Sequence, residues 1–282
     1  MRGAAIGRTR RVATAFGAFA ASALVSISAA SGAGLKTESA STDVAPGDVG
    51  SATAECSQGK KAVSGGFDGN VDFADPADAD FIWFESRPTS KREWTSSGEN
   101  ETGTSTGPLT SFAYCRDEKV KTESADVTVP GDGSATATVK CPSETKVLSG
   151  GFLTEWNNNT SILPHASQKV GKRKWSVTAD NLDPDAGTAT AYARCRKGEK
   201  LKTREASLSL PGPVLEIREV VARCKRGQRV VSGGFSVSTV QFQGLLVEAS
   251  RKEGKRRWLV EAFNNSPEAE TLTAYAYCEK KE

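Results

Sequence analysis

One five-residue stretch occurs three times in the chain, as Val63-Ser64-Gly65-Gly66-Phe67, Leu148-Ser149-Gly150-Gly151-Phe152 and Val231-Ser232-Gly233-Gly234-Phe235. Each copy follows a cysteine at one fixed distance (Cys56, Cys141, Cys224). Each also precedes a tryptophan (Trp94, Trp175, Trp258) and an ending that runs from an aromatic residue into a second cysteine (Tyr114-Cys115, Tyr192 to Cys195, Tyr277-Cys278). A period of about 80 residues marks a repeat architecture, and that constraint comes before any other. It assigns most of the distinctive residues to architecture, so chemistry has to be sought where the repeats differ.

The units open alike, at Leu35-Lys36-Thr37, Val120-Lys121-Thr122 and Leu201-Lys202-Thr203, and each runs into a Pro-Gly turn. Stretches such as Ser134-Ala135-Thr136-Ala137-Thr138-Val139 then alternate with period two, the pattern of short antiparallel strands. No segment sustains a 3.6-residue period. The expected fold is therefore all-β. Two arrangements satisfy it: three tandem antiparallel β-sandwich-like repeats (34–118, 119–199, 200–282) with one disulfide each, or a single pseudo-threefold β-prism. Because each unit owns both its cysteines and the linkers are short and charged, separate modules that touch are favoured.

A Gly-Gly pair inside a strand marks a bulge or the close approach of another backbone or ring. A bulge is the expectation here. A phosphate-cradling loop would need a following helix and a fuller glycine fingerprint, and neither is present. Trp94, Trp175 and Trp258 keep one register beside residues such as Val177 and Val260, which points to core packing.

Residues 1–33 read as an export signal: Arg2, Arg8, Arg10 and Arg11, then the apolar stretch Val12 to Ile27, then small residues suited to cleavage. An even cysteine count beyond such a signal reads as disulfides. Only Cys56–Cys115, Cys141–Cys195 and Cys224–Cys278 repeat identically in every unit. A zinc site is disfavoured, since the cysteines are far apart and His165 is the one histidine. After signal removal 33 basic residues face 34 acidic ones, but unevenly: net −8, +2 and +5 along the three units. Drift of charge on the solvated faces of diverging repeats is the favoured reading, with head-to-tail contact or attraction to a charged surface as the alternatives.

The variable regions hold the candidate sites. In the first repeat Asp68, Asn70 and Asp72 partly match the oxygen-ligand spacing of a calcium loop, though the central glycine and closing glutamate are missing. In the second, Trp156 beside Asn157, Asn158 and Asn159 has the composition of a carbohydrate contact, where a ring stacks on a sugar and amides bond its hydroxyls, and turn formation explains the asparagines equally well. No catalytic residue is expected. His165 follows Pro164 in what reads as a variable loop, without partners for nucleophilic catalysis. Basic turns at 172–174 and 255–257 could meet anionic wall polymers; nucleic acid is not expected, because no aromatics are interleaved with them.

Cys141-Pro142, the Ser-Gly-Gly-Phe strand, Trp175-Ser176-Val177 and Ala191-Tyr192-Ala193-Arg194-Cys195 together resemble a repeat of uncharacterised exported proteins of high-GC Gram-positive bacteria. Its usual form is Cys-Pro-x-Gly, Gly-Gly-Gly, Trp-x-Val and Ala-Tyr-Ala-x-Cys. Ser57 and Lys225 depart from the proline, and the collagen-like tract that often precedes single copies is absent. A fainter likeness, in the cysteine rhythm alone, is to the threefold β-prism of vitelline membrane outer layer proteins. The resemblance implies export and β architecture and supplies no activity. The expected function is thus a secreted, non-catalytic β-repeat protein, an extracellular structural or surface-interaction module, with a lectin-like carbohydrate binder as the alternative. No cofactor other than calcium is suggested. The partner would be a cell-wall or extracellular polymer, and no apolar run after the signal is long enough to span a membrane.

Overall fold

The computed structural model describes residues 35–69, 81–101, 105–157, 160–212, 214–238 and 244–280, and every regular element among them is a β-strand. The expected export signal, and Asn70, Asp72, Asn158 and Asn159, lie outside the described residues. The first repeat contributes β1 (Lys36–Val44), β2 (Val49–Glu55), β3 (Lys61–Asp68), β4 (Phe81–Pro88), β5 (Glu93–Asn100) and β6 (Gly107–Arg116). The second contributes β7 (Lys121–Val129), β8 (Ser134–Lys140), β9 (Lys146–Thr154), the two-residue β10 (Trp156–Asn157), β11 (Thr160–Val170), β12 (Lys174–Asn181) and β13 (Gly187–Arg196). The third contributes β14 (Lys202–Leu210), β15 (Val214–Arg223), β16 (Gln228–Val237), β17 (Leu245–Glu253), β18 (Arg257–Asn264) and β19 (Glu270–Lys280).

These strands form three antiparallel sheets, and none of the sheets belongs to one repeat. The orders are β1-β6-β3-β17-β18-β15, then β14-β19-β16-β11-β12-β8 with β10 on β11, and β2-β5-β4-β9-β13-β7. Each repeat splits in half, and each half completes its sheet with half of a neighbour. The seams lie at Ser250↔Phe67, Ser167↔Phe235 and Ser86↔Phe152. Of the two architectures open to the sequence, the molecule has the pseudo-threefold β-prism, not separate modules.

The disulfides pair as expected, Cys56–Cys115, Cys141–Cys195 and Cys224–Cys278, with Cα–Cα distances of 5.6, 5.6 and 5.7 Å. Ownership of both cysteines by one repeat does not make that repeat a separate module, for a physical reason. Cys56 follows β2 in one sheet and Cys115 lies in β6 of another. Each bridge therefore staples together the two sheets into which its own repeat divides.

The glycine pair is explained by close approach. The expected bulge falls two residues earlier, on Val63, Leu148 and Val231, where the register against β6, β13 and β19 slips. The first glycine makes room for an indole: a Cβ on Gly65, Gly150 or Gly233 would lie 2.1–2.3 Å from ring atoms of Trp94, Trp175 or Trp258. The second makes room for the neighbouring repeat: a Cβ on Gly66, Gly151 or Gly234 would lie 2.4, 2.1 or 2.3 Å from the carbonyl oxygen of Ser250, Ser86 or Ser167. Only a residue without a Cβ allows both approaches.

Around these contacts the core closes on itself. The three tryptophans are 1–2% exposed, and each indole Nε1 donates to a buried serine of its own repeat (Ser86, Ser167, Ser250) at 3.0 Å. Phe67, Phe152 and Phe235 meet edge to face on the pseudo-threefold axis, with centroids 6.0–6.2 Å apart. The hydroxyls of Tyr114 and Tyr277 accept the backbone N–H of Lys252 and Lys169 across the seams, both at 2.7 Å, and burial pushes both phenol pKa values up. Successive connections alternate between the two ends of the prism. One end carries the disulfides, and at the other lie the strand ends that flank the variable regions in sequence.

Candidate functional site: a recess at the variable end

The equivalent strands β4, β11 and β17 enter the prism from the variable end, and each bulges near its start: at Phe84, at His165 and at Glu248. A bulge bends the strand and re-aims the extra side chain. These positions correspond in the three repeats, yet they hold a phenyl ring, an imidazole and a carboxylate. His165 therefore sits in strand β11, not in a variable loop.

Between these strand starts lies a recess of about 300 Å³, with the phenylalanine triad as its floor. Its wall is asymmetric. Where the second and third repeats present Pro164 and Val247, the first presents Trp83, 4% exposed and packed against Phe67 with centroids 4.6 Å apart. Phe81, Leu163 and Leu245 extend the apolar surface, while His165, Asp180, Asp183 and Asn265 supply polar groups.

The polar groups are specifically arranged. His165 Nδ1 and Asp180 Oδ2 are 2.7 Å apart, with both side chains 14% exposed. The carboxylate fixes the orientation of the imidazole. Among the described residues, three buried polar atoms on the lining have no hydrogen-bond partner: Trp83 Nε1, Asp180 Oδ1 and Asp183 Oδ2. Buried polar atoms are rarely left unpaired, and a ligand or ordered water commonly supplies the partner.

Of the expected carbohydrate contact, Trp156 does line the recess. Its ring is stacked parallel on Phe84 at 6.0 Å, and its Nε1 donates to Glu99 Oε2 at 2.6 Å, so it also ties the second repeat to the first. The Asn157 amide donates to Glu155 Oε1 at 3.0 Å and is not part of the lining. Of the expected calcium ligands, Asp68 Oδ2 is held at 2.6 Å by Arg251 Nε of the third repeat. Among the described residues no group of three or more His, Cys, Asp or Glu side chains is placed to hold a metal ion.

Sequence reasoning passed over Trp83, Asp180 and Asp183. It also passed over Asn100, Asn181 and Asn264, which follow the three core tryptophans at one interval. Each of these amides donates to a backbone carbonyl at the corner between sheets, Val44, Val129 and Leu210 respectively, and so fixes the rim of this end. That recurrence was readable in the sequence; the convergence of Trp83 on the aspartates was not, because it joins two repeats.

No protein-family model matches the chain, and no curated protein matches it. No helix among the described residues is long and apolar enough to cross a membrane.

Proposed function

We propose that the protein is an exported, non-catalytic binding module in which the prism is a rigid scaffold and the recess at its variable end seats a short saccharide. The observation that carries this is the pairing of apolar ring surface with unsatisfied polar atoms of both kinds, one donor (Trp83 Nε1) and two acceptors (Asp180 Oδ1, Asp183 Oδ2). A sugar hydroxyl both donates and accepts, and a pyranose face stacks on indole. A recess of about 300 Å³ lies at the small end of the range for ligand pockets, which suits one or two sugar rings. Three disulfides and the sequence of residues 1–33 support export.

The test is a glycan array followed by titration calorimetry, with tryptophan fluorescence as a second readout. Binding that survives 0.5 M salt (about a 4 Å Debye length) and is weakened at least tenfold in Asp183→Asn is the expected result. Asp180→Asn provides a second variant that leaves the aromatic packing alone. A flat response across the array, with no fluorescence change, would remove the proposal.

A further inference from the structure

The charge that the sequence distributes unevenly among repeats is distributed by the fold along the prism axis. At the disulfide end the connections are 56–60, 89–92, 117–120, 141–145, 171–173, 197–201, 224–227 and 254–256, and together they hold twelve Lys or Arg and four Asp or Glu. At the opposite end the described connections hold seven Asp or Glu and no Lys or Arg. Every repeat sends its own basic hairpin tip, Lys91-Arg92, Lys172-Arg173 or Lys255-Arg256, to the same end.

The centre of that end is already filled by ion pairs. Glu279 is contacted by Arg116 (2.6 Å), Arg196 (3.2 Å) and Arg229 (2.6 Å), and Arg196 also meets Glu118 at 2.7 Å. Two of the tip arginines are structural as well, since Arg92 and Arg173 donate to the carbonyls of Cys56 and Cys141. What remains is a rim of exposed cations, including Lys60, Lys91, Lys172, Lys225 and Lys255. A charged rim around a filled centre offers no seat for a small anion. It offers many weak contacts to something extended. None of these connections contains an aromatic residue, so stacking on nucleobases is not available there.

We propose that the disulfide end is a docking surface for an extended, base-free phosphodiester polymer, and that docking there leaves the recess at the opposite end facing outward. Lysine reads phosphate as a point charge, so binding by this surface is governed by counterion release and is independent of the recess.

The probe is poly(glycerol phosphate), titrated against the full-length secreted chain at several salt concentrations. The expected result is binding whose log K falls linearly with log salt. Lys91→Gln, Lys172→Gln and Lys255→Gln together should weaken it at least tenfold at low salt and make the slope shallower by about three. The control makes the same net charge change at the far end, with Val49→Glu, Ala186→Glu and Ala269→Glu, all at exposed positions. At 0.1 M salt it should bind within about twofold of the unaltered protein, since strands of 7–11 residues hold the two ends roughly 30 Å apart, well beyond the ~10 Å Debye length. Thermal melts confirm that both variants fold. Absence of binding at low salt, or equal weakening by both variants, overturns the proposal. So does tighter binding of oligothymidine at equal phosphate, which would make the partner a nucleic acid. Salt-sensitive self-association abolished by either variant, without polymer binding, would make it a second copy of the chain.

Discussion

Pro88 and Arg194 are a matched pair of exceptions to the threefold pattern. At two seams a tyrosine hydroxyl accepts a backbone N–H, Tyr114 from Lys252 and Tyr277 from Lys169. At the third seam the residue equivalent to those lysines is Pro88, which has no N–H to donate. The residue equivalent to the tyrosines is Arg194, which bridges instead to the carbonyl of Ser90 and, at 2.7 Å, to Thr122 Oγ1. Arg194 is 1% exposed and burial pushes its pKa down to about 10.

This relationship predicts non-additivity. Arg194→Tyr alone buries a hydroxyl opposite a proline, and Pro88→Lys alone adds an N–H opposite a guanidinium. Together they rebuild the arrangement of the other seams. In urea denaturation the double variant should be more stable than the sum of the single effects by about 1 kcal/mol or more. Additive effects would show that the two substitutions are unrelated.

The glycine pair predicts a graded series. Gly150→Ala places a methyl against Trp175, and Gly151→Ala places one against the Ser86 backbone of another repeat. Neither obstacle is the far end of a flexible side chain, so each should cost more than about 3 kcal/mol or abolish folding. Gly59→Ala meets no atom within 4 Å but has φ +81°, and should cost only about 1 kcal/mol. If all three variants melt alike, the packing argument fails.

The seams predict that repeats do not fold alone. A chain ending at residue 199 leaves β3 without β17 and β11 without β16. It should lack a cooperative melt and aggregate through those open edges. The intact protein should unfold in a single transition, and Cys141→Ser with Cys195→Ser should lower that one transition by about 4 kcal/mol without splitting it. A stable, soluble 34–199 fragment would contradict this.

Glu279 predicts a dependence on pH. Burial works against its charge, but the hydrogen bonds and charges of Arg116 and Arg229 outweigh burial and hold its pKa below the ordinary value. A carboxylate depressed in this way contributes stability above its unfolded pKa and loses it as pH falls through the folded pKa. Glu279→Gln should therefore be less stable than the unaltered protein near pH 7. The loss should lie between the ~1 kcal/mol of a surface pair and the ~3–5 kcal/mol of a buried one. The gap should narrow as the pH drops below about 4. A gap that stays constant down to pH 2.5 would mean that the charge of Glu279 is not what matters.

The all-β class, the three bridges and the burial of Trp94, Trp175 and Trp258 were legible because each is repeated within one unit. Sheet membership was not, since a bridge within a repeat is equally compatible with a module and with a repeat divided between two sheets. The recess was illegible for the opposite reason: it forms where Trp83, Pro164 and Val247 differ, from residues that only the seams bring together. The axial charge separation was hidden in a tally by repeat, because each repeat sends acids to one end and bases to the other.

The seam between β3 and β17 also governs how the chain must fold. The strand ending at Asp68 finds its outer neighbour only in the strand beginning at Leu245. A polypeptide emerging N-terminus first carries an open strand edge until almost its whole length is present, so vectorial folding, unit by unit, is ruled out by the topology. Contact order is correspondingly high, which places this molecule among slow folders. Its vulnerable period is the interval before the last repeat arrives to close the first.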